Sequence, residues 1–134
     1  MVEVASEEVV IGKPKTWPSF GWDNEYGRDK RNVESFKTSK FLISNGEFLE
    51  FVKAGGYDHQ KYWSESGWAW RQFRNVKWPT FWVQDGPAGS NRFKLRATFS
   101  EMPMQWSWPA IVNFYEAKAY CSWLTETEGS SAPF

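Results

Sequence analysis

The pattern of apolar and polar positions predicts two capped helices. Ahead of the first helix, Ser44 and Glu47 have the spacing of a capping box, in which side chains and backbone amides bond reciprocally. Gly55 and Gly56 then supply a left-handed stop, so we expect a helix over about residues 45–54. Its apolar residues recur at spacings of three and four, as one buried face requires: Phe48, Phe51 and Val52.

A second capping box begins a longer helix. Asn113 is the predicted cap, Glu116 is its partner, and Gly129 ends the helix. The residues predicted to share its buried face are Phe114, Ala117, Cys121 and Leu124. A shorter helix is expected around residues 64–72.

Short runs of β-branched and aromatic residues, separated by Pro and Gly, predict strands elsewhere. The expected extended pieces are residues 9–11, 31–43 with a bulge near 37–39, 77–83, 92–99, and 106–112 broken by Pro109. No internal repeat and no low-complexity linker marks a second domain, so we expect a single domain.

Aromatic residues dominate the candidate core. The 134-residue sequence has ten Trp, eleven Phe and five Tyr, although its mean hydropathy is −0.63. Each such ring buries about 150–250 Å², so we expect a core of rings rather than of aliphatic layers. The Trp residues are spread over many elements, which favours core packing and loop anchoring over a row of sugar-stacking platforms. One or two of them could instead line a ligand cleft.

Charge and hydropathy exclude several classes of protein. Sixteen basic and sixteen acidic residues cancel without a clustered basic face, so we expect no nucleic-acid partner. No run approaches the roughly 18 apolar residues that span a bilayer, and residues 1–10 lack the features of a secretory signal. Cys121 is the only cysteine, which excludes an intrachain disulfide. We therefore expect a cytoplasmic protein without a membrane partner.

Candidate chemistry is sparse. A metal centre needs several His or carboxylate ligands around one point, and His59, the only histidine, is expected at the surface. Cys121 is expected to be a small buried hydrophobe. A compact acidic group lies at Asp23, Asn24 and Glu25. Its spacing does not match a calcium-binding loop, so we expect a turn in which Asp23 or Asn24 bonds to nearby backbone amides. We expect no catalytic residue and no metal ligand in this chain.

Two motifs resemble the formylglycine-generating-enzyme-like (sulfatase-modifying-factor) family. The first is FLISNGEFLEF followed by GGY, over residues 41–57. The second is WPAIVNFYEAKAYCSW, residues 108–123, which is similar to the family's second helix. Within the family, FGWDNE (20–25) and WSESGWAWR (63–71) most resemble the sulfoxide synthases, and in particular the ovothiol-type branch, 5-histidylcysteine sulfoxide synthase.

The resemblance implies an irregular α+β fold of the C-type-lectin kind, with residues 1–134 as the N-terminal portion of the domain. It implies a parent enzyme that joins cysteine sulfur to histidine with iron(II) and dioxygen. The family's iron ligands come from an H-x-x-x-H-x-E motif in an N-terminal helical domain, and this motif is absent here. We therefore expect this chain to supply scaffold and substrate cleft and to be inactive alone. Trp108 and Asn113, near the strand-to-helix junction, are the predicted substrate-binding residues.

Three alternatives remain open. The ergothioneine-type sulfoxide synthase is a near neighbour of the ovothiol type. A Trp-rich, lectin-like carbohydrate-binding module predicts a planar row of exposed Trp and measurable sugar binding. A stand-alone regulator that pairs with another chain predicts a stable monomer or dimer.

Overall fold

The computed structural model describes residues 1–129, which form two compact units, residues 1–40 and residues from 41 onward. The strands of the first unit are β1 (Val2–Val4), β2 (Glu7–Ile11), β3 (Asp29–Val33) and β4 (Phe36–Thr38). β1 pairs with β4 and β2 pairs with β3, both antiparallel. None of residues 1–40 is buried, so the order of this unit depends on strand pairing rather than on a core.

The second unit contains three helices and one antiparallel sheet. The helices are α1 (Asn45–Lys53), α2 (Glu65–Arg74) and α3 (Phe114–Glu128). The sheet has the order β5 (Trp82–Gln84), β6 (Phe93–Arg96) and β7 (Glu101–Pro103). The mixed α and β composition is confirmed. No helix within residues 1–129 is long and apolar enough to cross a bilayer.

Aromatic rings form the core of the second unit, as predicted. Phe51, on α1, is 0% exposed and lies at its centre. Five rings have centroids 5.4–6.2 Å from its own: those of Phe48, Tyr57, Tyr62, Tyr120 and Trp123. A Cβ on Gly56 would lie 2.1 Å from the Phe51 ring. The backbone at position 56 therefore packs directly against this core, and the position requires glycine.

The strand boundaries differ from those predicted. The expected strand at residues 31–43 is divided after Val33, not near residues 37–39, because its two halves pair with different partners. Residues 77–81 and most of 106–112 are extended or turn backbone without a ladder, because Pro79 and Pro109 lack an amide to donate. β1 and β7, which each have three residues, were not predicted.

The buried face of α3 was predicted only in part, since of its four predicted residues Leu124 packs against the core. The predicted face included Phe114, which is 73% exposed. Glu116, Ala119 and Tyr120 are buried, and Tyr115, Trp123 and Leu124 pack against the core. A glutamate was not counted as a core position from its sequence, but here its carboxylate has buried hydrogen-bond partners, which make its burial tolerable.

Candidate substrate-binding surface

The residues that connect β7 to α3, numbers 105–113, run beside the entry to α1 and carry both predicted substrate-binding residues. We call them the 105–113 segment. Backbone hydrogen bonds join it to residues 43–46: Asn45 N to Trp108 O at 2.8 Å, Gly46 N to Trp106 O at 2.8 Å, and Ala110 N to Ile43 O at 2.9 Å. The segment therefore has a fixed backbone although it lacks a regular strand.

Large apolar side chains of this segment remain exposed. Trp108 is 51% exposed, Ile111 is 61% exposed, and Trp106 is 38% exposed. The Trp106 ring packs edge-on against the buried Trp82 ring, with centroids 5.8 Å apart. A surface that is partly apolar, aromatic and held in place is typical of a binding cleft or an interface.

Asn45, the first residue of α1, is 2% exposed, and both of its side-chain polar atoms are hydrogen-bonded. Its Nδ2 donates to the carbonyl of Gln105 at 2.9 Å, and its Oδ1 accepts from Trp82 Nε1 at 3.1 Å. One bond goes to the 105–113 segment and the other to a core indole. The side chain thus connects the first residue of the segment to the hydrophobic core.

Glu116, on the first turn of α3, has an equivalent arrangement and is also 2% exposed. Its Oε2 accepts from Asn113 N at 2.9 Å, and its Oε1 accepts from the Tyr57 hydroxyl at 2.7 Å. Desolvation raises the pKa of Glu116, while both hydrogen bonds lower it. Burial beside this carboxylate also raises the pKa of Tyr57 well above its usual value, so the phenol stays a donor.

Asn113 caps α3 as predicted. Its Oδ1 accepts from Glu116 N at 3.0 Å, and the side chain is half-buried. Within residues 1–129 its Nδ2 has no hydrogen-bond partner, which leaves one amide donor available to a ligand. Trp108 and Asn113 lie on one fixed segment, although no direct contact joins their side chains within the described residues.

Cys121 is half-buried rather than buried, and burial raises the pKa of its thiol. It lines an apolar groove of about 160 Å³. The groove also contains side chains of the 105–113 segment, of α3 and of the chain before α1, among them Leu42, Val112 and Ala117. The predicted apolar face of α3 therefore exists, but part of it lines this groove instead of the core.

The remaining candidates have structural roles. His59 is exposed, as predicted. The turn at Asp23–Glu25 is a short 3-10 segment, and the bond to a nearby amide comes from Glu25, whose Oε2 accepts from Trp22 N at 2.6 Å, rather than from Asp23 or Asn24. Within residues 1–129 no three His, Cys, Asp or Glu side chains are placed to hold a metal ion. The described residues therefore do not fit an iron site.

Asn45, Tyr57 and Glu116 were not predicted as parts of the site. The Ser-Asn pair ahead of α1 and the box glutamate of α3 were visible as capping signals, but their second partners come from distant parts of the chain. Tyr57 and Glu116 are 59 positions apart, and Asn45 and Gln105 are 60 apart. Local spacing carries no signal for such pairs.

Comparison with known proteins points to one family. Residues 1–129 match the family described as the sulfatase-modifying factor enzyme 1-like domain. Hercynine oxygenase of Mycolicibacterium smegmatis is 35% identical over 115 residues, which are 85% of this chain and 25% of that protein. Hercynine oxygenase of Mycobacterium tuberculosis is 30% identical over 115 residues, 82% of this chain and 26% of that protein. The chain thus spans about a quarter of the length of these curated relatives.

Proposed function

Because this chain belongs to the sulfatase-modifying factor enzyme 1-like domain family, we propose that it supplies scaffold and part of the substrate cleft to an oxygenase that acts on histidine or a histidine derivative. The similarity to hercynine oxygenases supports the class of reaction. The proposal includes a C-type-lectin-like arrangement, supported by the irregular mixture of helices and strands. It also includes a cytoplasmic location, supported by the single cysteine.

The proposed reaction is sulfoxide synthesis of the ovothiol type. A cysteine thiol loses its S–H proton, histidine loses an imidazole C–H proton, and a carbon–sulfur bond forms. One atom of dioxygen ends on sulfur and the other leaves as water, which balances the reaction. Iron(II) would be bound by residues outside the described part of this chain, for which we propose an N-terminal helical domain of the parent enzyme.

The observation that carries the proposal is the fixed, exposed 105–113 segment. We propose that the Asn113 amide donates to an acceptor on the substrate, such as the carboxylate of histidine. The half-exposed Trp108 ring would cover an apolar side of the substrate and keep water from the reacting atoms. Neither role requires this chain to hold the metal.

Substitutions in the intact parent enzyme test the assignment. Trp108→Ala and Asn113→Ser should each raise KM for the imidazole substrate by about tenfold, because each removes one good substrate contact. Serine keeps a capping oxygen for α3, so folding should be preserved. Phe99→Ala is the matched control, since Phe99 is 98% exposed and lies outside the segment. Unchanged KM in both variants, with normal melting temperatures, would remove this surface from the cleft.

A second substrate class has specific support. The relatives are named for hercynine, a histidine derivative, which favours the ergothioneine-type reaction as the alternative to the ovothiol type. Competition between histidine and hercynine in one assay of the parent enzyme measures the ratio of kcat/KM directly. A preference for hercynine would replace histidine in the proposal and leave the role of the segment unchanged.

The carbohydrate-binding alternative has a separate test. Trp63 and Trp82 are buried, and Trp68 and Trp70 pack against the core, which supports the core role. Binding of this chain to a glycan array, lost in Trp108→Ala and kept in Phe99→Ala, would instead support a carbohydrate-binding module.

A further inference from the structure

Asn45 and Glu116 are the two polar side chains buried within residues 1–129. Each hydrogen-bonds once to a core aromatic residue and once to the backbone at one end of the 105–113 segment. Asn45 holds the first residue of the segment and Glu116 holds the last. The 105–113 segment is thus anchored at both ends by the two buried polar side chains.

We propose that Asn45 and Glu116 are positioning residues that hold the 105–113 segment in the geometry required to bind substrate. This inference rests on the proposed function, since it assigns Trp108 and Asn113 to the cleft. A buried polar side chain costs free energy unless it is fully paired. Two such side chains at the two ends of one segment therefore indicate that they hold the segment in a defined position rather than increase the stability of the chain.

The Asn45 anchor acts from the α1 side. The backbone of Gly46 approaches the same segment so closely that a Cβ would lie 3.3 Å from the Trp106 carbonyl oxygen. This contact, the amide bonds to Trp106 and Trp108, and the Asn45 side chain all act on residues 105–108. Displacement of α1 by a few tenths of an ångström would be transmitted to the Trp108 backbone.

The Glu116 anchor determines the orientation of the Asn113 side chain. The reciprocal bonds between Asn113 and Glu116 hold Oδ1 toward the helix. Nδ2 is then the atom left to donate to a ligand. The other oxygen, Oε1, accepts from the hydroxyl of Tyr57, a residue outside the segment, so the bond to Asn113 N is made by Oε2 alone.

Paired variants of the intact parent enzyme separate positioning from stability. Asn45→Asp keeps an acceptor for Trp82 Nε1 but loses the donor to Gln105, so KM should rise by about tenfold. Trp63→Phe is the control: it removes a buried hydrogen bond of the same core, from Trp63 Nε1 to the Gly56 carbonyl at 2.8 Å, but no bond of either anchor. Its KM should therefore stay within about twofold of the parent value. Because an aspartic acid regains an O–H donor when protonated, the KM ratio of Asn45→Asp to the parent should fall as pH falls.

A second pair of variants tests the Asn113 end of the segment. Glu116→Ala removes the group that binds Asn113 N, whereas Tyr57→Phe removes only the other bond of that carboxylate. Loss of the whole carboxylate should raise KM, whereas loss of the phenol hydroxyl should leave it near the parent value. Glu116→Gln can pair with both partners and should restore KM. If Asn45→Asp does not fold, Gly46→Ala displaces the segment from the same side and should raise KM without changing a buried polar group.

Hydrogen exchange of this chain tests the anchoring without any activity measurement. The amides of residues 105–113, Pro109 excepted, should exchange about tenfold faster in Asn45→Asp than in Trp63→Phe, compared at equal global stability. Equal exchange and equal KM in each pair would overturn the positioning role. If Trp108→Ala and Asn113→Ser leave KM unchanged while exchange differs as expected, the anchors stand and the proposed cleft falls.

Discussion

The starts of α1 and α3 use the same local motif in opposite environments. In α1, Glu47 is exposed, and its carboxylate accepts from Ser44 N at 2.7 Å. In α3, Glu116 is 2% exposed and accepts from Asn113 N at 2.9 Å. Hydrogen bonds to Ser44 lower the pKa of Glu47, whereas desolvation raises the pKa of Glu116. A capping box therefore determines the local hydrogen bonds, whereas burial in the tertiary structure determines whether the pKa of the box glutamate is raised or lowered.

The largest expected difference is in stability when each glutamate is truncated. Glu116→Ala leaves the buried Tyr57 hydroxyl and the half-buried Asn113 amide without this partner and opens a cavity, so it should cost about 3 kcal/mol. Glu47→Ala removes half of an exposed capping box and should cost about 0.5–1 kcal/mol. Urea unfolding of this chain, followed by tryptophan fluorescence, measures both.

The isosteric substitution is the control for this pair. Glu116→Gln keeps the volume, its oxygen can accept from Asn113 N, and its Nε2 can donate to the Tyr57 oxygen, so most of the lost stability should return. Equal costs for Glu116→Ala and Glu47→Ala would mean that burial does not distinguish the two helix starts, and would contradict the comparison.

The two carboxylates should also give opposite pH dependence. The folded-state pKa of Glu116 lies above the usual value of 4.5, so its contribution to stability is fully present below pH 4.5 and is lost as pH rises through the folded-state value. The folded-state pKa of Glu47 lies below 4.5, so its contribution is present above pH 4.5 and is lost as pH falls through the folded-state value.

Unfolding free energies of Glu116→Gln and Glu47→Gln, measured from pH 3 to pH 8 against the parent chain, check these signs. The advantage of the parent over Glu116→Gln should shrink as pH rises above about 4.5, and its advantage over Glu47→Gln should shrink as pH falls below about 4.5. The same sign for both variants would refute the assigned environments.

The comparison also shows what the sequence can predict. Both capping boxes, the α1 boundaries and the ring-built core are confirmed, because each depends on residues within one or two helical turns or on composition. The buried face of α3 was predicted only in part, for the opposite reason. Glu116 occupies a core position only because Tyr57, from the turn after α1, supplies a donor.

The candidate site was predictable only in part. The junction near Trp108 and Asn113 follows from the order of strand, proline and cap, and the structure places both residues on one fixed segment. The anchors of that segment need contacts between α1, β5 and α3, and strands of three residues give too short a pattern to predict their pairing. The assignment of Trp108 and Asn113 to substrate binding stays a prediction.

A smaller effect is expected at the second residue of each helix. Gly46 lies close to the Trp106 carbonyl, whereas Tyr115 occupies the equivalent position in α3. Alanine at position 46 should gain about 1 kcal/mol of helix propensity. We expect the contact with the anchored segment to exceed that gain and to destabilise the chain by roughly 1 kcal/mol net. If urea unfolding shows Gly46→Ala to be more stable than the parent chain, the 105–113 segment moves to accommodate the added methyl group at little cost in free energy.

The smallest effect is expected when the two cap residues are exchanged. Ser44→Asn and Asn113→Ser each replace one good cap by another, and both keep an oxygen that accepts from the amide three residues on, so each should change stability by less than about 0.5 kcal/mol. Ser44→Ala and Asn113→Ala are the matched controls and should each cost about 1 kcal/mol. If Asn113→Ser costs as much as Asn113→Ala while Ser44→Asn is neutral, the asparagine amide contributes to the folded state through its Nδ2. That group would then not be free for a ligand, and the difference between the two helix starts would extend from the carboxylates to the caps.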